Sequence, residues 1–299
     1  MGNVLKGRTI WQVPTGKLLA AVNLLAPELG EGAWGVVEVL GDRKGKEFRE
    51  HAARFLLRCG IDVLESEKVA RAMVGEERFW SIEEWARFYG EFISEKKICS
   101  APVFPLVFPW GKEVLSSSCP LCGGVVRYCH SAFLGLDCLY GDPLTLSRWC
   151  ELHRSYSEAY SEEFPRIIVV SGEPVSSERP FQDVTIGFRW YLLHQAIIPE
   201  SRNRTYHEQR MLLPPEYEVP SAAVEAVKNT LLVLRSDRPK INTAYARCSD
   251  LTADGRHVLV GNFERTVRRF SVAVRPPGNY ADVGLAASRR LPDDKVSSV

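Results

Sequence analysis

The spacing of cysteine and histidine between residues 119 and 153 constrains this chain more than any other feature. Cys119-Pro-Leu-Cys122 and Cys150-Glu-Leu-His153 are two pairs of soft ligands, each with two residues between its members, set 27 residues apart. Thiolates and imidazoles supplied as close pairs suit a tetrahedral zinc site, and four protein ligands leave no position open for a substrate. The spacing therefore predicts a structural Zn2+ held by Cys119, Cys122, Cys150 and His153. Pro120 stiffens the first loop, and Gly123 and Gly124 permit the tight backbone that follows it. Ser147 is placed to cap a helix running through Cys150 and His153, which puts both on one face. Cys129, His130 and Cys138 lie between the pairs and are chemically competent alternates. The competing reading is a set of buried cysteines with no metal, since cysteine is among the most buried residue types.

A loop pair, a short strand at Val125–Tyr128 and then a helix pair is the layout of a treble-clef zinc module, a likeness of fold that carries no function. Over residues 119–126, Cys-x-x-Cys-Gly-Gly-Val-Val also resembles the zinc segment of reovirus-type outer-capsid proteins. That resemblance implies double-stranded RNA as a partner; the later ligand spacing differs, and no family follows from it. A redox role fits less well, because a redox Cys-x-x-Cys opens a helix after a strand, whereas here glycines and a strand follow.

The chain has 299 residues, 45% of them hydrophobic and 25% charged, which suits a folded protein of one large domain or two smaller ones. The formal net charge of +1 gives no global argument for a polyanion partner. Eight cysteines crowded unevenly along the chain suit a reducing compartment, cytoplasmic or nuclear, better than a disulfide scaffold. No stretch approaches the ~20 apolar residues that span a bilayer. Met1-Gly2-Asn3 offers Gly2 for N-myristoylation and hence a weak membrane anchor, although Lys6 stands where serine or threonine is usual. The acid-free start with Lys6, Arg8 and Lys17 also permits a targeting segment.

The pattern predicts an α+β protein. Residues 1–100 read as mostly helical, with helices over 15–28, 46–59 and 65–74, the last closed by Gly75, and a strand over 34–40. Ser81-Ile-Glu-Glu84 before Trp85, Phe88 and Tyr89 is a capping-box signature for a further helix. Residues 101–165 form an extended, proline-rich connector followed by the zinc module. Residues 166–275 read as a mainly β region with an antiparallel sheet. Its strands are predicted over 166–170, 184–193, 231–234, 243–248, 257–260 and 266–274, with a helix at 222–229 and a hairpin turn at Asp254-Gly255. Residues 199–217 read as a long loop, and 276–299 as a flexible tail.

Two further patterns point elsewhere. Gly30-Glu-Gly32-Ala-Trp-Gly35-Val-Val37 resembles the glycine-rich loop of protein kinases, which implies a nucleotide-binding enzyme. His51 stands where the kinase lysine belongs, and neither a catalytic-loop nor a D-F-G motif follows, so a tight glycine turn explains the run. Residues 250–274 echo one WD-type repeat, but a propeller needs several. His194 and His207 are isolated and read as structural.

Arginines supply the remaining signal. Arg202, Arg204 and Arg210 flank Tyr206, and Arg265, Arg268 and Arg269 lie on or beside the last strand. Guanidinium forks beside an aromatic ring suit phosphate and base contacts, against the plainer reading of a solvated edge. The sequence therefore predicts a non-catalytic, zinc-stabilised binding or structural protein, intracellular or viral, acting through protein or RNA. The alternative is an enzyme with a degenerate nucleotide-binding N-terminal region.

Overall fold

The computed structural model describes residues 66–93, 107–139, 142–159, 166–171, 183–235, 243–264 and 269–292. Gly2, the glycine-rich run 30–37, the elements expected before residue 65, Arg265 and Arg268 lie outside the described residues. The chain divides into two compact units, and all that follows concerns the one formed by residues 67–99 and 108–299.

Residues 67–74 are helical and end at Gly75, whose φ of 98° and hydrogen bond from its amide to the Arg71 carbonyl close the last turn. Strand β1 (Phe79–Trp80) leads into helix α1 (Ile82–Ile93). The capping box forms as the sequence predicts: the Glu84 carboxylate accepts from the Ser81 amide at 2.7 Å, and the Ser81 hydroxyl accepts from the Glu83 amide at 3.2 Å. Helix α1 buries Trp85 and Tyr89 on one face. Two short helices follow, α2 (Lys112–Ser116) and α3 (Val126–Cys129), then strands β2 (His130–Leu134), β3 (Cys138–Leu139) and β4 (Asp142–Pro143). Helix α4 (Leu146–Ala159) precedes β5 (Arg166–Ser171) and β6 (Trp190–His194). Residues 199–217, expected as a loop, include a 3-10 turn at Pro199–Ser201 and helix α5 (Tyr206–Met211), capped by Thr205 and Glu208.

Strand β7 (Tyr217–Glu218) leads to helix α6 (Ala222–Arg235). Its residues from Ala222 to Val233 are all buried, so it threads the interior with strands β8 (Tyr245–Leu251) and β9 (His257–Glu264) and helix α4 as neighbours. The run Leu231–Leu234, expected as a strand, is instead the end of this helix. A short apolar run has no period of its own, and its neighbours decide its state.

Strands β10 (Arg269–Val274), β11 (Val283–Leu285) and β12 (Ser288–Arg289) complete two five-stranded sheets. One runs β1-β2-β6-β12-β7, antiparallel except for the β1/β2 pair. The other runs β11-β8-β9-β10-β5. Its centre is antiparallel and turns at Gly255, but both of its edges, β11 and β5, pair in parallel, so the sheet is mixed rather than purely antiparallel. The architecture is mixed helix and sheet. Residues 283–289, expected within a flexible tail, pass from one sheet to the other through the buried pair Ala286 and Ala287. Their small side chains look like tail composition, yet they permit this close packing. Phe108 and Trp110, from the expected connector, are buried: Phe108 packs on Trp190 with ring centroids 5.2 Å apart, and the Trp110 indole donates to the Arg290 carbonyl at 3.2 Å.

Candidate metal centre

The Cys119 loop folds back on itself as a knuckle. Ser118 and Val125 form an isolated antiparallel bridge, the Cys119 amide donates to the Gly124 carbonyl at 2.6 Å, and the Gly123 amide donates to the Cys119 carbonyl at 2.8 Å. Gly123 takes φ of 73°, a left-handed conformation that other residues adopt only with strain. The chain then makes one helical turn where a strand was expected, and that turn, α3, brings Cys129 back toward the knuckle.

Strand β2 starts at the next residue and pairs with β6 in antiparallel register, His130 opposite His194. Partners in such a pair share a face of the sheet. This register, not local sequence, delivers His194 to the site. The result is a group of four donors, Cys119, Cys122, Cys129 and His194, whose ligand atoms all lie within 4.8 Å of one another. A tetrahedral site with metal–sulfur bonds of about 2.3 Å has edges of about 3.8 Å, which that spread accommodates. The group could hold a metal ion.

The surroundings orient His194. His194 Nδ1 donates to the Ala196 carbonyl at 2.7 Å, so in the neutral ring Nε2 carries the lone pair. Nε2 is buried and bonds no backbone group, the state expected of a nitrogen aimed at a ligand position beside the thiols. The strand end is pinned from several sides. The Gln195 amide donates to the Cys129 carbonyl at 2.9 Å, and the Gln195 side chain donates to the His130 carbonyl at 2.9 Å. Lys228 Nζ, buried in α6, donates to the His194 and Gln195 carbonyls at 3.3 and 3.4 Å and to Glu225 at 2.5 Å.

His130 borders the group without belonging to it, its Nδ1 3.2 Å from the Cys129 sulfur. Its Nδ1 lies 3.1 Å from the Val126 carbonyl, and its Nε2 lies 3.1 Å from the Tyr217 hydroxyl, which accepts in turn from Arg289 at 3.2 Å. Burial, reinforced by His194, drops the His130 pKa to about 3, so this ring is neutral at ordinary pH. The thiols behave as a crowded set. A hydrogen bond from Cys129, opposed by burial and aided by His194, holds the Cys119 thiol well below its ordinary value, while the same bond and burial push Cys129 far up. Ionised Cys119 therefore suppresses ionisation of Cys129, and a cation between the two sulfurs would relieve that repulsion.

The structure gathers a different four residues from those predicted by spacing. Cys119 and Cys122 are in the group; Cys150 and His153 are not. They do share a face of α4, but that face turns into the aromatic core. Cys150 is buried there, and burial pushes its thiol up to about 12. His153 packs on Trp149 with centroids 4.5 Å apart, and its Nε2 lies 3.1 Å from the Tyr89 hydroxyl. Of the alternates, Cys129 joins the group, His130 lies beside it, and Cys138 sits half-buried in β3. His194, which the sequence left as an isolated structural histidine, is the fourth member. No local signal could have found it, because the nearest other member, Cys129, is 65 residues away in sequence.

Of the arginines, Arg202 and Arg210 are exposed and Arg204 is half-buried, all in or beside α5. Arg269 is ion-paired with Glu264. No described helix is long and apolar enough to cross a membrane. Comparison with known protein families, curated proteins and solved structures finds no match to this chain.

Proposed function

We propose that this chain is a non-catalytic, zinc-stabilised binding or structural protein. The observation that carries the reading is the convergence of Cys119, Cys122, Cys129 and His194 within 4.8 Å. Three sulfurs and one imidazole nitrogen form a soft donor set that favours Zn2+ over Mg2+ or Ca2+. Four protein donors fill a tetrahedron and leave no site for an activated water, which supports a structural rather than a catalytic metal. In this reading the zinc module is the knuckle at 117–126, helix α3 and the end of β6, in place of a treble clef built on α4. The ion would tie the first sheet to the knuckle loop. Three thiols held together as metal ligands suit a reducing compartment, cytoplasmic or nuclear.

The binding role rests on the surface around α5. Arg202, Arg204 and Arg210 stand beside Tyr206 there, a combination suited to RNA phosphates and bases. Retention of RNA by the purified protein, measured against salt, tests this. The reading expects retention that falls steeply with salt and is lost in Arg202→Glu with Arg210→Glu. Equal retention by the double variant, with its fold intact, would contradict it and leave protein contacts as the role.

A further inference from the structure

A second site lies away from the zinc ligands, in a cleft of about 150 Å³ between α5, the β8/β9 hairpin and the segment after β10. Arg247, Arg256, Arg275, Tyr206, His257 and Tyr280 all line it. Three guanidinium groups in one small cleft are rarely tolerated without anions, and the placement of Arg247 is the informative one. It sits within strand β8 and is only 6% exposed. Its guanidinium donates to the Gln209 side-chain oxygen at 2.9 Å and to the Gly278 carbonyl at 3.3 Å, both neutral. Gln209 is itself fully buried and anchored to the Ser201 carbonyl at 2.7 Å. Among the described residues no carboxylate pairs with Arg247. A buried cation held only by neutral acceptors is costly, and a fold keeps one most readily where an anion arrives to complete it. Burial also holds the Arg247 pKa below its ordinary value, the direction a desolvated cation without a counterion takes.

The other two arginines are tethered by carboxylates that are themselves half in solvent. Arg275 makes a bidentate pair with Asp282 at 2.8 Å and lies over the Tyr280 ring, its guanidinium carbon 5.3 Å from the centroid. Arg256 pairs with Asp254 at 2.6 Å. The side chains of Asp282 and Asp254 are 53% and 54% exposed, so water screens them while the guanidinium groups line the cleft. Tyr206 lies against His257 with centroids 3.6 Å apart and ring planes tilted by 37°, giving the cleft one aromatic wall. His257 is held by the Cys248 carbonyl at Nδ1, 3.1 Å away, and burial keeps its pKa down, so the wall is uncharged at neutral pH. The cleft thus carries one uncompensated positive charge at depth, two carboxylate-paired guanidinium groups at the rim and aromatic sides.

We propose that this cleft binds a phosphate monoester, its anionic end on Arg247 between Arg256 and Arg275. Guanidinium forks match phosphate oxygens in pairs, and the volume admits a phosphate group with a few atoms behind it rather than a length of duplex. The ester can come from a small phosphorylated molecule or from the terminal phosphate of an RNA strand. The inference stands apart from the zinc reading, since none of these residues is a proposed metal ligand.

The test is calorimetric titration of the full chain at low ionic strength with inorganic phosphate, with a nucleoside 5′-monophosphate, and with a short RNA bearing a 5′-phosphate or a 5′-hydroxyl. The expected result is saturable binding of the monophosphate at one site per chain. A preference for 5′-phosphate over 5′-hydroxyl RNA would identify the strand end as the source. Monophosphate binding with no such preference would identify a small molecule. Arg247→Met should weaken the monophosphate at least about tenfold, the loss of one charge-assisted pair. Because Arg247 is buried, Arg256→Gln with Arg275→Gln, both at the rim, gives a second reading and should weaken binding by a similar factor. Absence of saturable binding by any phosphate probe up to about ten millimolar would overturn the proposal. So would unchanged affinity in the folded rim variant.

Discussion

Replacing Cys129 with serine separates the geometry of the fold from the spacing of the sequence. Cys129 is a member of the converging four and lies outside the two close pairs; Cys150 belongs to a close pair and lies outside the four. Structural zinc in small modules contributes about 10–16 kcal/mol of apparent binding free energy. Shared over four ligands this is about 3 kcal/mol each, so losing one thiolate weakens zinc by roughly two powers of ten. Since binding stabilises the folded state by mass action, a zinc-saturated sample should lose about the same free energy on unfolding. For a domain of ordinary stability, about 5–15 kcal/mol, that is a large fraction. Cys150→Ala removes only a buried sulfur from a core held by Trp149 and its neighbours, a cavity cost of about 1 kcal/mol, and should leave zinc affinity untouched. Competition against a chromophoric chelator, with thermal unfolding on the same samples, reads both quantities. Cys129→Ser with wild-type zinc affinity, alongside Cys150→Ala with lost zinc, would put Cys150 and not Cys129 at the metal.

Further outcomes follow from the surroundings. Gly123→Ala should cost about 1 kcal/mol, since the residue is left-handed and its new Cβ meets nothing within 4 Å; urea unfolding reads the shift, and no change would mean the loop adopts another conformation. Lys228→Met should cost about 3–5 kcal/mol by stranding Glu225, whereas Lys228→Met with Glu225→Leu should recover most of it; a double variant no better than the single would contradict the buried pair. Glu84→Gln should flatten the acid limb of the stability curve. Burial opposes the charged form, but bonds from Arg71 and Ser81 win and hold the Glu84 pKa below its ordinary 4.5. Its contribution is then complete above that value and is lost as pH falls through the lower, folded-state value. Unfolding free energies of variant and wild type measured from neutral to acid pH should converge, and parallel curves would count against the network.

What was legible in the sequence was local. Ser81 and Glu84 are three residues apart, so their reciprocal cap is written in one turn, and Gly75 and Asp254-Gly255 mark their ends by backbone chemistry alone. The Cys119 knuckle is legible for the same reason. What was hidden depends on pairing at a distance. His194 reaches the thiols because it stands opposite His130 across two strands, a register that no spacing rule encodes. Cys150 and His153 have the right periodicity for a shared site, but periodicity does not say which neighbour a helix face meets, and here it meets Tyr89 and Trp149. Ala286 and Ala287 look like tail residues until two sheets close around them.

The most direct test of the central claim is X-ray absorption at the zinc edge on purified protein, with elemental analysis of the same sample. About one zinc per chain is expected, with three sulfurs near 2.3 Å and one nitrogen near 2.0–2.1 Å. A protein without zinc, or a zinc shell made of oxygen and nitrogen, would contradict that claim.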